Sequence, residues 1–279
     1  MSRRTRRGLA RAAVWLLLGM FIVLALGPVA WGVVTSLMPL SALTTAPPEI
    51  SLANVTLDNY QEVLLSDQSL TRGLVNSAII ATLTAVISLS LGSAAAYALS
   101  RLQVVGANKM LLGILATQMF PGIVIAIPLF LVFSQIGLID TYPGLVIIYL
   151  SFTLPIVIWI LKGFFDAIPP QLERAAAVDG ASPFQVFRLV ILPISLPALF
   201  AAGVFAFIES WNEFFFAIIF TRISVKTAPI AIAEFSGQYQ TLYGQMLAAA
   251  VLASIPVVVL AIIFRRFILE GFVEGAVKG

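Results

Sequence analysis

Pro169-Pro170-Gln171-Leu172-Glu173-Arg174-Ala175-Ala176-Ala177-Val178-Asp179-Gly180-Ala181-Ser182-Pro183-Phe184-Gln185-Val186-Phe187-Arg188-Leu189-Val190-Ile191-Leu192-Pro193 is an amphipathic island between two long apolar windows. The two prolines can open a helix at its first turn, and residues 171–178 are strong helix formers that propagate it. Asp179-Gly180 stops that helix, the glycine supplying a left-handed residue after the last turn. Ser182-Pro183-Phe184-Gln185 then reads as a capping box with serine at the N-cap, proline at N1 and glutamine at N3. A second short helix follows, with Phe184, Phe187 and Val190/Ile191 at helical spacing, and it is expected to end at Pro193. The stretch is therefore a helix–turn–helix hairpin. Two readings of its phenylalanines stand: they are exposed to a partner, or they tuck beneath neighbouring helices as a plain connector.

Outward from this island the chain turns apolar on both sides. Windows of about 20 residues cross a bilayer as helices, and six occur, at 12–37, 74–99, 110–138, 145–160, 196–220 and 246–264. Of the 279 residues, 60% are hydrophobic and 10% charged, with a mean hydropathy of +1.04. A soluble domain carries about 25% charged residues, so a water-soluble globule is excluded. Pro28, Pro121, Pro128, Pro155 and Pro256 fall inside the windows and predict kinks, which membrane helices tolerate when neighbours satisfy the freed carbonyls. With no cysteine and no histidine, the chain has no disulfide, no thiolate nucleophile and none of the commonest metal ligands or general bases. Neither a metal site nor a catalytic centre is expected. A phosphate-binding G-x-x-x-x-G-K-[ST] loop is absent as well.

Basic residues set the orientation. With the N-terminus in the cytoplasm, thirteen of the 16 lysines and arginines lie inside and only Arg72, Arg222 and Lys226 outside. This predicts a multi-pass protein with both termini cytoplasmic and the hairpin on the cytoplasmic face. Three parts are expected: a basic segment 1–11, a six-helix membrane domain 12–264 with its loop at 165–195, and a cytoplasmic tail 265–279. The first apolar stretch is about twice the length of a signal h-region and reads as an uncleaved anchor. The outside segment 38–73 reads as an ordered loop with a short helix around 57–65.

Span five carries Glu209, Asn212 and Glu213, which a continuous helix would place on one arc about 100° wide, with Trp211 nearly opposite. Each acid costs about 2.5–3.5 kcal/mol at mid-membrane, so none should face lipid. Two readings stand: the arc lines a solute pathway, or it holds helices together. Gln118, before Pro121, is a weaker pathway candidate.

The island has a known likeness. Glu173-Arg174-Ala175-Ala176-Ala177-Val178-Asp179-Gly180, followed by Val190-Ile191-Leu192-Pro193, resembles the EAA loop of ABC-importer permeases. Ser210-Trp211-Asn212-Glu213-Phe214-Phe215-Phe216-Ala217 resembles the S-W-N-E-F-x-F-A run of carbohydrate importers. The tail, with Gly271, Gly275, Val277, Lys278 and Gly279, resembles the ending of the maltose-type second permease subunit.

The resemblance implies an all-α, six-helix type I importer permease in a bacterial inner membrane, with the hairpin as its coupling element. The implied partners are a second homologous permease, two ATP-binding subunits, an extracytoplasmic binding lipoprotein that sets most of the sugar specificity, and membrane lipid; nucleic acid is not among them. ATP and Mg would be used by the partner subunits, with no cofactor on this chain. Glu173, Arg174, Ala175, Ala176, Asp179, Gly180, Phe184, Phe187 and Pro193 would form the ATPase-coupling surface, and the tail would reach toward the ATPase dimer interface. In the outside loop 221–245, Glu234, Gln238, Tyr239 and Tyr243 would meet the binding protein, although a re-entrant turn fits the same sequence.

Arg174 stands where the family has glutamate. An acidic partner surface, a takeover by Glu173 after a small rotation, or a solvent-facing position each accommodates it, and the retained register of Ala175, Ala176 and Gly180 favours takeover. A self-sufficient proton-coupled transporter using Glu209 and Glu213 is the rival function, and it leaves the hairpin idle. The orientation is tested by single cysteines in this cysteine-free chain. A thiol at Ser69 should react with an impermeant reagent outside intact cells, and one at Ser182 should be protected; the reverse pattern inverts the topology.

Overall fold

The computed structural model describes residues 3–45, 47–66, 68–237 and 241–276. Each apolar window becomes helix. Helix α1 spans Arg3–Ser36, α2 Gln68–Arg101, α3 Ala107–Ala116, α4 Gly122–Gln135, α5 Tyr142–Ala167, α6 Pro170–Val178, α7 Leu196–Asn212, α8 Phe215–Phe220 and α9 Tyr243–Ala276. Among the described residues the only extended pairing is an isolated bridge between Ser236 and Thr241. Among the described residues four stretches are each long and apolar enough to cross a membrane unaided: Ala13–Ser36, Gln68–Arg101, Tyr142–Ala167 and Tyr243–Phe267. The count reaches six when each of two bent helix pairs makes one crossing.

The bends are where the helices depart from the sequence expectation. The third window is not one helix, because its halves Ala107–Met119 and Gly122–Gln135 meet at 89°. Proline pushes the preceding residue out of the helical region, and Phe120 accordingly sits at φ −76°, ψ 124° before Pro121. The fifth window breaks too: α7 stops at Asn212, and Glu213 is extended at φ −68°, ψ 124° before α8 begins. In the hairpin, the second helix does not end at Pro193. It runs through Pro183–Val186, a π-helical turn Phe187–Ile191 and Leu192–Ile194, where Pro193 sits in a fresh first turn that needs no N–H from it. The true break comes at Ser195, with a 79° bend into α7. Pro28, Pro128, Pro155 and Pro256 remain inside their helices.

The chain forms two compact units, one taking the residues up to Leu70 with Ile232–Ser254, the other Thr71–Ala231 and the chain from Ile255 onward. In the first unit Asn59 is buried and its amide donates to the carbonyls of Ser36 and Met38, both at 2.9 Å. That side chain fills the last carbonyl of α1, at Ser36, while those of Val34 and Thr35 accept from the N–H groups of Leu37 and Met38. Gly244 is required beside it, because a Cβ there would lie 2.6 Å from the Asn59 amide nitrogen.

The second unit is built on α5. One apolar cluster joins Ala96 and Tyr97 of α2, Val157, Leu161 and Phe165 of α5, and Ala198, Ala202 and Ala206 of α7. A second joins Ile80, Phe133, Tyr149, Phe216 and Phe220. Small residues let the helices approach: a Cβ on Gly92 would lie 2.7 Å from Val157, and one on Gly203 2.9 Å from Leu89. Ser88 and Thr153 add a buried hydroxyl pair at 2.8 Å between α2 and α5.

A carboxylate straps the loop after α8. Asp140 adopts a left-handed φ of 58°, a conformation its short polar side chain tolerates. Its oxygens accept from the backbone N–H groups of Arg222 (3.0 Å), Ile223 (3.2 Å), Ser224 (2.9 Å) and Val225 (3.1 Å). Asn76 donates to the carbonyls of Ser224 and Lys226, and accepts from the Tyr142 hydroxyl at 2.6 Å. Partial burial pushes the Asp140 carboxyl up, but the four N–H donors outweigh it and bring it from 3.8 down to about 2. A depressed folded pKa gives stability that is complete above the unfolded value and lost as pH falls through the folded one. Asp140→Asn should therefore destabilise the detergent-solubilised protein at neutral pH by about 1–3 kcal/mol, and the gap to wild type should close as pH falls from 3.8 toward about 2. Thermal unfolding across pH measures both.

Candidate functional site

The hairpin is closed by the local chemistry its sequence encodes. Gly180 takes φ 86°; the N–H of Ala181 reaches the Ala176 carbonyl at 3.0 Å and that of Gly180 the Ala177 carbonyl at 3.1 Å, the paired bonds of a Schellman turn. The capping box is present, with the Gln185 N–H donating to Ser182 Oγ and the Ser182 N–H to Gln185 Oε1. The two phenylalanines differ in burial. Phe184 is 67% exposed, beside Val178 at 88%. Phe187 is tucked in, its ring centroid 4.9 Å from that of Tyr97. Arg174, Ala175, Asp179, Gly180 and Pro193 lie exposed.

Glu173 does not face outward. Its Oε1 pairs with Arg101 Nε at 2.7 Å, both side chains largely buried, and its Oε2 accepts from the Tyr97 hydroxyl at 3.4 Å. This pairing weighs against the expected takeover of a partner contact by Glu173, since rotating it outward would strand Arg101 without its counter-charge. Arg174, about 100° around the helix, is exposed instead.

In span five the arc is not continuous. Glu209 and Asn212 share an exposed face of α7, three residues apart. Glu213 lies past the end of that helix, and its carboxylate accepts from the N–H groups of Phe216 (2.7 Å) and Ala217 (3.0 Å). It caps α8, filling donors that the helix start leaves open. Trp211 is 4% exposed and stacks on Phe207 at 5.6 Å. Gln118 is exposed and its amide donates to the Ser151 carbonyl at 3.2 Å.

On the outside loop, Glu234 is exposed and accepts from Ser69 Oγ at 3.2 Å, and Tyr243 is exposed at the start of α9. Gln238 and Tyr239 lie outside the described residues. In the tail, Gly271 and Gly275 continue α9, while Val277, Lys278 and Gly279 lie outside the described residues. Three residues that organise these regions were not singled out from sequence. Arg101 counted only as an orientation charge, Tyr97 sits one turn before it on the same face, and Asp140 carries no pattern beyond a polar residue at a turn.

The sequence profile of the binding-protein-dependent transport system inner membrane component matches residues 88–270. The trehalose transport system permease protein of Mycobacterium tuberculosis is 41% identical over 276 residues, covering 98% of this chain and all of that protein. The trehalose/maltose transport system permease protein of Thermococcus litoralis is 40% identical over 80% of this chain and 82% of its own length. A permease chain in the crystal structure of a bacterial alginate ABC importer shares the fold, with a TM-score of 0.79, 24% identity and coverage of 95% of this chain and 98% of that one.

The geometry separates structural from open polar groups in span five. Trp211→Ala should cost about 3–5 kcal/mol through the cavity it leaves, and Glu213→Ala about 1–2 kcal/mol through loss of a cap. Glu209→Ala should stay within about 0.5 kcal/mol of wild type. Thermal unfolding in detergent checks the order, and a Glu213→Ala protein as stable as Glu209→Ala would remove the capping role.

Proposed function

The chain belongs to the family of binding-protein-dependent transport system inner membrane components, and from that premise we propose that it is one permease half of an ATP-driven importer of di- and oligosaccharides. The observation that carries this reading is the hairpin: a closed, exposed element with Phe184, Val178 and Arg174 outward, anchored to α2 and α5. In a chain without an ATP-binding loop, such an element is a receiver of force. Hydrolysis, with its Mg, falls to two partner ATPases that dock on the hairpin. A second, homologous permease completes the pathway, and an extracytoplasmic binding protein delivers the sugar.

Orientation follows the positive-inside distribution, with both termini and the hairpin cytoplasmic. Glu209 and Asn212 are pathway candidates, because an exposed acid in a membrane helix needs a polar neighbour rather than lipid. The proton-relay alternative loses its second member, since both oxygens of Glu213 are held by backbone donors. With Glu173 turned inward, the partner meets Arg174, and the matching partner group is acidic.

Reconstitution of the permease pair with the ATPase and binding protein in proteoliposomes tests the reading, with radiolabelled trehalose as the first sugar. Uptake should require internal ATP and loaded binding protein. Uptake that ignores ATP and collapses with a proton ionophore overturns it. In the same system Arg174→Glu should lower binding-protein-stimulated ATPase activity about tenfold or more, since like charges at an interface cost several kcal/mol. Unchanged stimulation would turn Arg174 toward solvent and remove the acidic partner group.

A further inference from the structure

Arg101 is the last residue of α2, and its guanidinium joins three parts of the chain. Its Nε meets Glu173 Oε1 of α6 at 2.7 Å, and its Nη2 donates to the carbonyls of Phe165 (2.7 Å) and Ile168 (2.5 Å) at the end of α5. The side chains of the ion pair are only 13% and 18% exposed. Tyr97, one turn earlier on α2, touches both limbs of the hairpin, donating to Glu173 Oε2 and packing on Phe187. Alongside, Ser100 Oγ donates to Asp166 Oδ1 at 2.5 Å, and Lys162 Nζ holds Asp166 Oδ2 at 2.7 Å. The ends of α2 and α5 are thus joined by hydrogen bonds, and the first limb of the hairpin is held to them by a close ion pair and the Tyr97 hydroxyl, at one level.

A largely buried ion pair contributes little net stability, because desolvation offsets its attraction, but it fixes geometry. Apolar contacts alone let surfaces slide; a guanidinium that hydrogen-bonds two carbonyls while paired with a carboxylate resists that sliding. The opposite end of the hairpin is a different kind of joint, the 79° break at Ser195 before α7. Displacement of the hairpin therefore has one stiff attachment and one bent one.

We propose that Arg101 and Glu173 are the positioning residues that make the hairpin move as one body with α2 and α5, so that partner-driven displacement reaches the membrane helices instead of being absorbed in the loop. This rests on the reading of the chain as an ATP-driven permease subunit. Glu173 transmits because it faces inward, and its role is separate from the outward contact made by Arg174.

The test measures sugar molecules imported per ATP hydrolysed by the assembled importer in proteoliposomes, for Glu173→Gln and Arg101→Lys. Both should keep binding-protein-stimulated hydrolysis while the ratio falls roughly tenfold, within the range of site-to-site coupling energies. A merely structural tie would lower the yield of assembled complex and leave the ratio of the assembled fraction unchanged, which overturns the proposal. Should either variant fail to assemble, the Arg101→Cys/Glu173→Cys pair is bridged after assembly by a short bis-methanethiosulfonate, each cysteine displacing a sulfinate to form a disulfide that a reductant cleaves, in a permease chain that has no other cysteine. Bridging should restore the ratio and cleavage should abolish it; indifference to both overturns the clamp. A wild-type complex that imports nothing with ATP indicts the function itself, whereas a coupled wild type with equally coupled variants indicts the clamp alone.

Discussion

A backbone N–H or C=O that leaves its helix needs a new partner, within a bilayer because no water is there and at its edge wherever packing keeps water out, and this constraint accounts for several of the charges in the second unit. The chain interrupts its helices repeatedly, and side chains meet the breaks. Glu213 takes the first donors of α8, Asp140 takes four consecutive donors of the loop that follows it, and Arg101 takes two carbonyls at the end of α5. Ionised groups make stronger hydrogen bonds than neutral ones, by roughly a factor of two. A chain with 10% charged residues spends several of them on backbone rather than on solvent.

That use of charge also marks the limit of what the sequence discloses. Helix placement was legible because lipid demands long apolar runs, and the hairpin was legible because Pro170, Gly180, Ser182 and Gln185 act within a few residues of themselves. Capping and turn formation are local, and the structure realises them bond for bond. The family was legible for the same reason, its motifs being contiguous. The breaks in the third and fifth windows were less so. Pro121 announced a kink but not a right-angled one, and nothing in Trp211-Asn212-Glu213-Phe214 signals that the helix stops before Glu213. Once it stops, helical periodicity no longer applies, and the predicted arc loses a member.

Long-range pairings escaped for a different reason. Arg101 and Glu173, or Asp140 and the 222–225 segment, meet only because α2, α5 and the loops are brought together by packing. A charge count sees Arg101 as one more cytoplasmic residue, and so assigns it to orientation. Both assignments are compatible, because a residue at the end of one span is well placed to hold the end of the next. The basic residues that orient a membrane chain are thereby a reservoir for its internal ties.

The same packing resolves the charge reversal in the hairpin. On α6, Glu173 and Ala176 lie one turn apart on the inward face, where alanine permits close approach and the carboxylate finds Arg101. Arg174, Ala177 and Val178 lie on the outward face at the same spacing, and all three are exposed. Exchanging the order of Glu173 and Arg174 would set arginine against arginine inside and leave the acid outside. The order in this sequence is therefore fixed by the interior partner, and the surface offered outward follows from it. A partner that fits this hairpin must accommodate a cation where an anion stands in the family pattern, because the anion is already committed within the chain.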